Sequence, residues 1–107
     1  MLNIFKKIFS VSSQGEQLEK VISRESFLVD VRTSGEFSLG SVKGAVNIPL
    51  GNLRNELFKF KDQKNIVVFC KSGARSAQAK RILEQNGIQN VTNGRTWKNV
   101  QAILSKQ

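Results

Sequence analysis

The chain reads as a three-layer α/β protein, with a central parallel sheet of four to five strands and helices on both faces. Three observations carry that reading. Short β-branched apolar runs alternate with helix-period segments along the 107 residues, joined by brief connections, which is the pattern of βαβ units. The strand candidates are nearly continuous apolar runs rather than alternating ones, as expected of strands covered on both faces. The length is near the modal size for one hydrophobic core, and 39% hydrophobic with 23% charged residues is ordinary for a globular chain.

Residues 1–15 are expected to be an N-terminal amphipathic segment and linker, and 16–107 the folded domain. Leu2, Ile4, Phe5, Ile8 and Phe9 interleave with Lys6 and Lys7 at helical spacing. A helix that packs on the domain is favoured over one that lies on a membrane surface. The apolar part is too short and too soon interrupted for a secretory signal. Leu18, Val21 and Ile22 predict a short helix over 16–23. A strand follows over 27–31, then a helical turn over 35–39. Another strand over 45–48 is stopped by Pro49, which cannot donate into a ladder.

Leu50, Leu53, Leu57 and Phe58 predict a helix over 51–59 with one apolar face, followed by a polar loop. Residues 66–69 are the most buried-looking strand. Residues 74–86 are the best helix, rich in good formers and stopped by Asn86-Gly87. A last short strand is expected over 88–92, and a final amphipathic helix over 98–105 carries Val100, Ile103 and Leu104. No run approaches the length of a membrane span.

The lone cysteine, Cys70, ends the apolar run Ile66-Val67-Val68-Phe69 and precedes a Gly-containing loop that opens a helix. Ligands in open parallel sheets bind at the carboxyl ends of strands, which is where Cys70 falls. A thiol there faces the first N–H groups of a helix, whose partial positive charge favours an anion. Lys71 and Arg75 add positive charge. These features lower a thiol pKa and favour the thiolate. A free cysteine commonly just packs as a small hydrophobe, but the strand–loop–helix context points to a nucleophile.

The arc from Cys70 to Arg75 holds six residues, Cys70-Lys71-Ser72-Gly73-Ala74-Arg75, and Ser76 follows. This arc resembles the active-site loop of the rhodanese family, sulfurtransferases that carry sulfur as a cysteine persulfide. Three further segments are similar to that family in the same order. Phe27-Leu28-Val29-Asp30-Val31-Arg32 with Glu36-Phe37 looks like its early Asp-Val-Arg strand. Gly40-Ser41-Val42-Lys43-Gly44-Ala45-Val46-Asn47-Ile48-Pro49 matches its central motif. Asn90 to Trp97 resembles its closing strand, glycine turn and tryptophan. Two positions depart from the pattern. Ser41 stands where the family commonly has histidine, a residue this chain lacks, and Arg95 replaces the second glycine of the closing pair.

The resemblance implies sulfur transfer from thiosulfate or another persulfide donor to cyanide or a thiol, with Cys70 catalytic. It also implies that the loop amides from Lys71 to Ser76 surround the bound sulfur. No cofactor or metal is needed. Lys71 is suited to meeting an anionic donor. Arg75 either binds the donor's sulfonate or pins the loop from behind. Ser76 either donates to sulfur or satisfies the start of the helix. Asp30 and Arg32 are supporting residues that brace neighbouring loops, and the resemblance makes Glu36 the partner of Arg32. Trp97 reads as core or pocket wall.

The net charge is +9. From Gln63 onward there are eight Lys/Arg against one acid, Glu84, so the excess lies in the half that carries the loop. Such a field concentrates small anions. No basic stripe interleaved with aromatics supports nucleic-acid binding. A single cysteine forms no internal disulfide, which fits a reducing, cytoplasmic setting. It also leaves no second thiol to take up the sulfur, so the acceptor is external, either a small thiol or cyanide or a protein. Two other readings stay open: a persulfide carrier or interaction module, and a cysteine phosphatase or arsenate reductase. The latter use a loop one residue longer.

Overall fold

The computed structural model describes residues 14–107, so the expected N-terminal amphipathic helix lies outside the described residues. The strands are β1 (Phe27–Asp30), β2 (Val46–Asn47), β3 (Ile66–Cys70) and β4 (Val91–Thr96). The helices are α1 (Gln14–Val21), α2 (Ser34–Ser38), α3 (Ala74–Gln85) and α4 (Trp97–Ser105), with a 3-10 helix at Leu50–Lys59. The four strands form one parallel sheet in the order β2-β1-β3-β4. Among the described residues no helix is long and apolar enough to cross a membrane.

Every residue of β3 is buried, because it pairs on both edges and is covered on both faces. Its alternation divides the core. Ile66, Val68 and Cys70 face a cluster with Leu53 and Phe60 of the 3-10 region and Ala79 and Leu83 of α3. Val67 and Phe69 face Leu18 and Ile22 beside α1 and Val100, Ile103 and Leu104 of α4. Each fully buried side chain of this kind contributes roughly 1.5–3 kcal/mol. The chain leaves β1 toward β2 on one side and leaves β3 toward β4 on the other. The switch point therefore falls between β1 and β3, whose carboxyl ends carry Asp30 and Cys70.

Three elements differ from their sequence expectation. The segment predicted as an α-helix over 51–59 is 3-10, with a non-helical break at Glu56 (φ −124°, ψ 24°). Gly51, Asn52 and Asn55 are weak α formers, while Leu53 still reaches the core. Helix α1 begins at Gln14, inside the expected linker. The last strand is Val91–Thr96, not 88–92. Asn93-Gly94, a turn signal in sequence, lies inside it as a bulge: Val68 pairs with Asn93 and Phe69 with Arg95, leaving Gly94 unpaired.

Glycine is required at that bulge. A Cβ on Gly94 would lie 2.7 Å from Val100 Cγ2, 3.0 Å from Val67 Cγ1 and 3.4 Å from the Val68 carbonyl oxygen. Overpacking of this kind costs about 1–3 kcal/mol. Gly94→Ala should therefore lower the thermal midpoint by several degrees, roughly 4–8 °C per kcal/mol for a domain of this size. Pairing it with Val100→Ala should recover part of the loss. Additive losses in a thermal melt would show that the clash is not the cause.

Candidate active site

The site grows from the junction of β3 and α3. Gly73 turns the chain there with φ 102° and ψ −14°, a left-handed conformation that favours glycine, and serves as the N-cap of α3. That turn aims the Gly73 N–H at Cys70 Sγ, 3.0 Å away. Ser76, buried in the first turn of α3, places its hydroxyl 3.5 Å from the same sulfur. Burial pushes the thiol up. The Ser76 hydroxyl and the amides of Ser76, Gly73 and Ser72 outweigh it, leaving the thiol below its ordinary value. Cys70 is 0% exposed, while Lys71 and Ser72 just after it are exposed and Ala74 starts the helix.

The two ion pairs around the loop differ from the expected partnership. Arg32 does not pair with Glu36. It lies against Asp30, donating from Nε at 3.0 Å and from Nη2 at 2.7 Å. Glu36 instead receives both arms of Arg75, at 2.7 and 3.0 Å. Helix α2 makes that pairing possible. Thr33 caps it and Glu36 bonds back to the Thr33 amide, so the carboxylate is held on the side facing α3. The Arg75 hydrogen bonds, aided by the Thr33 amide, pull the Glu36 carboxyl from 4.5 down to about 2. Arg75 thus ties α3 to α2.

Asp30 is fully buried and also accepts the Ser41 hydroxyl at 2.6 Å. Arg32 Nη2 reaches on to the Gly40 carbonyl at 2.6 Å, and its guanidinium lies 5.1 Å from the Trp97 ring centre. Trp97 is a pocket wall. A cleft of about 430 Å³ opens beside the loop, lined by Arg32, Glu36, Leu39, Gly40, Lys71, Thr96, Trp97 and Lys98. Its two exposed cations are Lys71 and Lys98. A somewhat smaller cavity, about 350 Å³ between Leu28 and Leu104, is lined by none of the loop residues.

The rhodanese-like domain model matches residues 14–95, which take in Asp30, Cys70 and its loop and end just before Thr96, Trp97 and Lys98 of the cleft. The chain belongs to the rhodanese-like family. It is 34% identical over 74 residues to the Escherichia coli thiosulfate sulfurtransferase PspE, covering 67% of this chain and 71% of that protein. It is likewise 33% identical over 71 residues to a sulfurtransferase of Allochromatium vinosum, covering 66% of each. An uncharacterised Bacillus subtilis protein, YqhL, is 34% identical over 70 residues, 65% of this chain and 56% of that one. Among solved structures, an Escherichia coli rhodanese with anions superposes with a TM-score of 0.63 at 33% identity. That match covers 69% of this chain and 89% of that one.

The departures from the rhodanese pattern now have structural outcomes. Ser41, in the family's histidine position, hydrogen-bonds the buried Asp30. Arg95 takes the left-handed φ of 73° that a glycine would adopt freely. Two residues of the site escaped sequence reading. Asn93 accepts the Ser76 hydroxyl at 2.7 Å, and Leu39, 91% exposed, flanks the cleft. Asn93 sits in an Asn-Gly pair that signals a turn, and an exposed leucine carries no signal at all.

The Arg75–Glu36 pair has a pH signature. Folding lowers the Glu36 pKa, so its stabilisation is fully present above about 4.5 and is lost as pH falls toward about 2. Glu36→Gln should be less stable than the parent at neutral pH, and the gap should close across that window. Denaturant midpoints from pH 7 to pH 2 check this. A gap that stays constant would show that the charge on Glu36 contributes nothing.

Proposed function

We propose that the protein is a sulfurtransferase whose nucleophile is Cys70. The observation that carries this reading is the Gly73 N–H aimed at Cys70 Sγ from the start of α3, 3.0 Å away. Donors so placed favour an anionic sulfur. In the first half-reaction the Cys70 thiolate attacks the outer sulfur of thiosulfate or a related persulfide donor. A new S–S bond forms, the donor's S–S bond breaks, and sulfite or a thiolate leaves with the electron pair. In the second, cyanide or a thiolate attacks the terminal sulfur of the Cys70 persulfide and releases the Cys70 thiolate. No proton has to pass through a histidine, which suits a chain without one.

Roles for the remaining residues follow from their partners. Lys71, exposed at the cleft, meets the anionic donor. Arg75, committed to Glu36, braces the loop from behind rather than binding sulfonate. Ser72, Gly73, Ala74 and Ser76 form the cradle, and Asp30 and Arg32 hold the cleft wall. The thiol is buried and Lys71 and Ser72 beside it are exposed, so the donor approaches from that end of the loop. The reducing, cytoplasmic setting inferred from the lone cysteine suits this chemistry.

A second reading, a persulfide carrier whose acceptor is a protein thiol, draws support from exposed Leu39 beside the cleft. Slow turnover of thiosulfate with fast transfer from a protein persulfide would favour it.

The first test is intact mass after incubation with thiosulfate and removal of excess donor. The expected result is an added mass of one sulfur, removed by cyanide and absent in Cys70→Ala. No adduct with thiosulfate, polysulfide or a small persulfide would overturn the proposal. The second concerns charge. Lys71→Glu should slow loading several-fold, and the parent's loading rate should fall as salt rises. Rates that ignore both changes would remove Lys71 from donor capture.

A further inference from the structure

A chain of hydrogen bonds runs from the thiol to the bulge in β4. The Cys70 thiol donates to Ser76 Oγ at 3.5 Å. Ser76 Oγ donates to Asn93 Oδ1 at 2.7 Å, and Asn93 Oδ1 also accepts the Arg95 N–H at 2.9 Å. The Arg95 amide can only donate, so it fixes the oxygen of the Asn93 amide, not the nitrogen, toward Ser76. The bulge at Gly94 and the left-handed turn at Arg95 bring that amide back onto Asn93.

Ser76 is fully buried, and its hydroxyl has one hydrogen to give. The other acceptors near it are the carbonyls of Gly73 at 3.0 Å and Arg95 at 3.5 Å. While the hydrogen points at Asn93, the hydroxyl presents a lone pair to sulfur. That suits a neutral S–H and opposes a thiolate. We infer that Asn93 is a positioning residue that sets the polarity of the Ser76 hydroxyl toward the sulfur, and that the hydroxyl turns to donate when Cys70 ionises. The thiol proton leaves to water. The turn exchanges the Ser76–Asn93 hydrogen bond for one to the thiolate, so Asn93 governs how readily the nucleophile forms.

The charged groups around the thiol lie on every neighbouring element. They are Arg75 on α3 with its partner Glu36 on α2, the buried Asp30–Arg32 pair at the end of β1, Lys71 after β3 and Arg95 on β4. Substitutions at Ser76 and Asn93 remove none of these charges; Asn93→Ala also frees the Arg95 amide, whereas Asn93→Asp keeps an oxygen to accept it. The inference rests on Cys70 being the nucleophile, but thiol alkylation reads it without any sulfur donor. A failure of sulfur loading and a failure of this coupling are therefore distinguishable.

The experiment measures the pH dependence of iodoacetamide alkylation of Cys70 in the full chain and in Asn93→Ala, Asn93→Asp and Ser76→Ala, singly and in pairs with Ser76→Ala. Circular dichroism checks that each variant is folded. Asn93→Ala should move the midpoint to lower pH and Ser76→Ala to higher pH, each by roughly one unit, a tenfold change in thiolate fraction. In the Ser76→Ala background, Asn93→Ala should add nothing. If Asn93→Ala does not fold, the near-isosteric Asn93→Asp serves. Its upward shift should be larger with Ser76 present than without it, because only the remainder is carboxylate charge. Equal shifts with and without the Ser76 hydroxyl, or no shift at Asn93, would overturn the inference.

Discussion

The buried carboxylate of Asp30 is the interaction on which the walls of the site depend. It sits at the carboxyl end of β1 and takes hydrogen bonds from the Arg32 amide, the Arg32 guanidinium and the Ser41 hydroxyl. Removing one partner of such a buried pair costs about 3–5 kcal/mol, because the other charge is left in a poor solvent for it. Arg32 carries the constraint outward to the Gly40 carbonyl and under Trp97, and those groups line the cleft. Just after Arg32, Thr33 caps α2 and orients Glu36, which grips Arg75 on α3. From β1 to α3 the site is braced by two charge-assisted pairs, joined through the chain where Arg32 leads into Thr33.

Inside that frame the sulfur lies between opposing effects. Its enclosure disfavours a charge, while the amides and the Ser76 hydroxyl favour one. Two left-handed residues arrange these groups: Gly73 aims its amide at the sulfur, and Arg95 returns its amide to Asn93 beside Ser76. Only one of them is a glycine. Backbone strain of this sort persists where surrounding structure overdetermines it, and here the surroundings are the β4 bulge and the Asn93 side chain.

The central part of the fold was legible because its signals are local and strong. The apolar run of β3, the alanine-rich α3 and the cysteine between them all lie where periodicity and composition put them. The edges were less so. Helical spacing alone does not distinguish α from 3-10 over Leu50–Lys59, where weak formers and a break at Glu56 decide. Asn93-Gly94 has the composition of a turn, yet pairing with β3 draws it into a strand, since the buried backbone groups on that edge of β3 would otherwise go unsatisfied. In the site, the loop and its cysteine were readable, while the partners of Glu36 and Ser76 were not.

By itself the sequence determined the layer architecture, the strand-end position of Cys70 and the six-residue arc to Arg75, because these depend on neighbours along the chain. Only the tertiary structure decided that Glu36 binds Arg75, that Ser41 serves Asp30, and that Asn93 holds the Ser76 hydroxyl. Each of those contacts joins residues 11 or more positions apart, on elements whose relative placement follows from burying both faces of β3. Spacing along the chain carries no record of such contacts. The place of the thiol was written locally, and the groups that surround it come together only in the folded sheet.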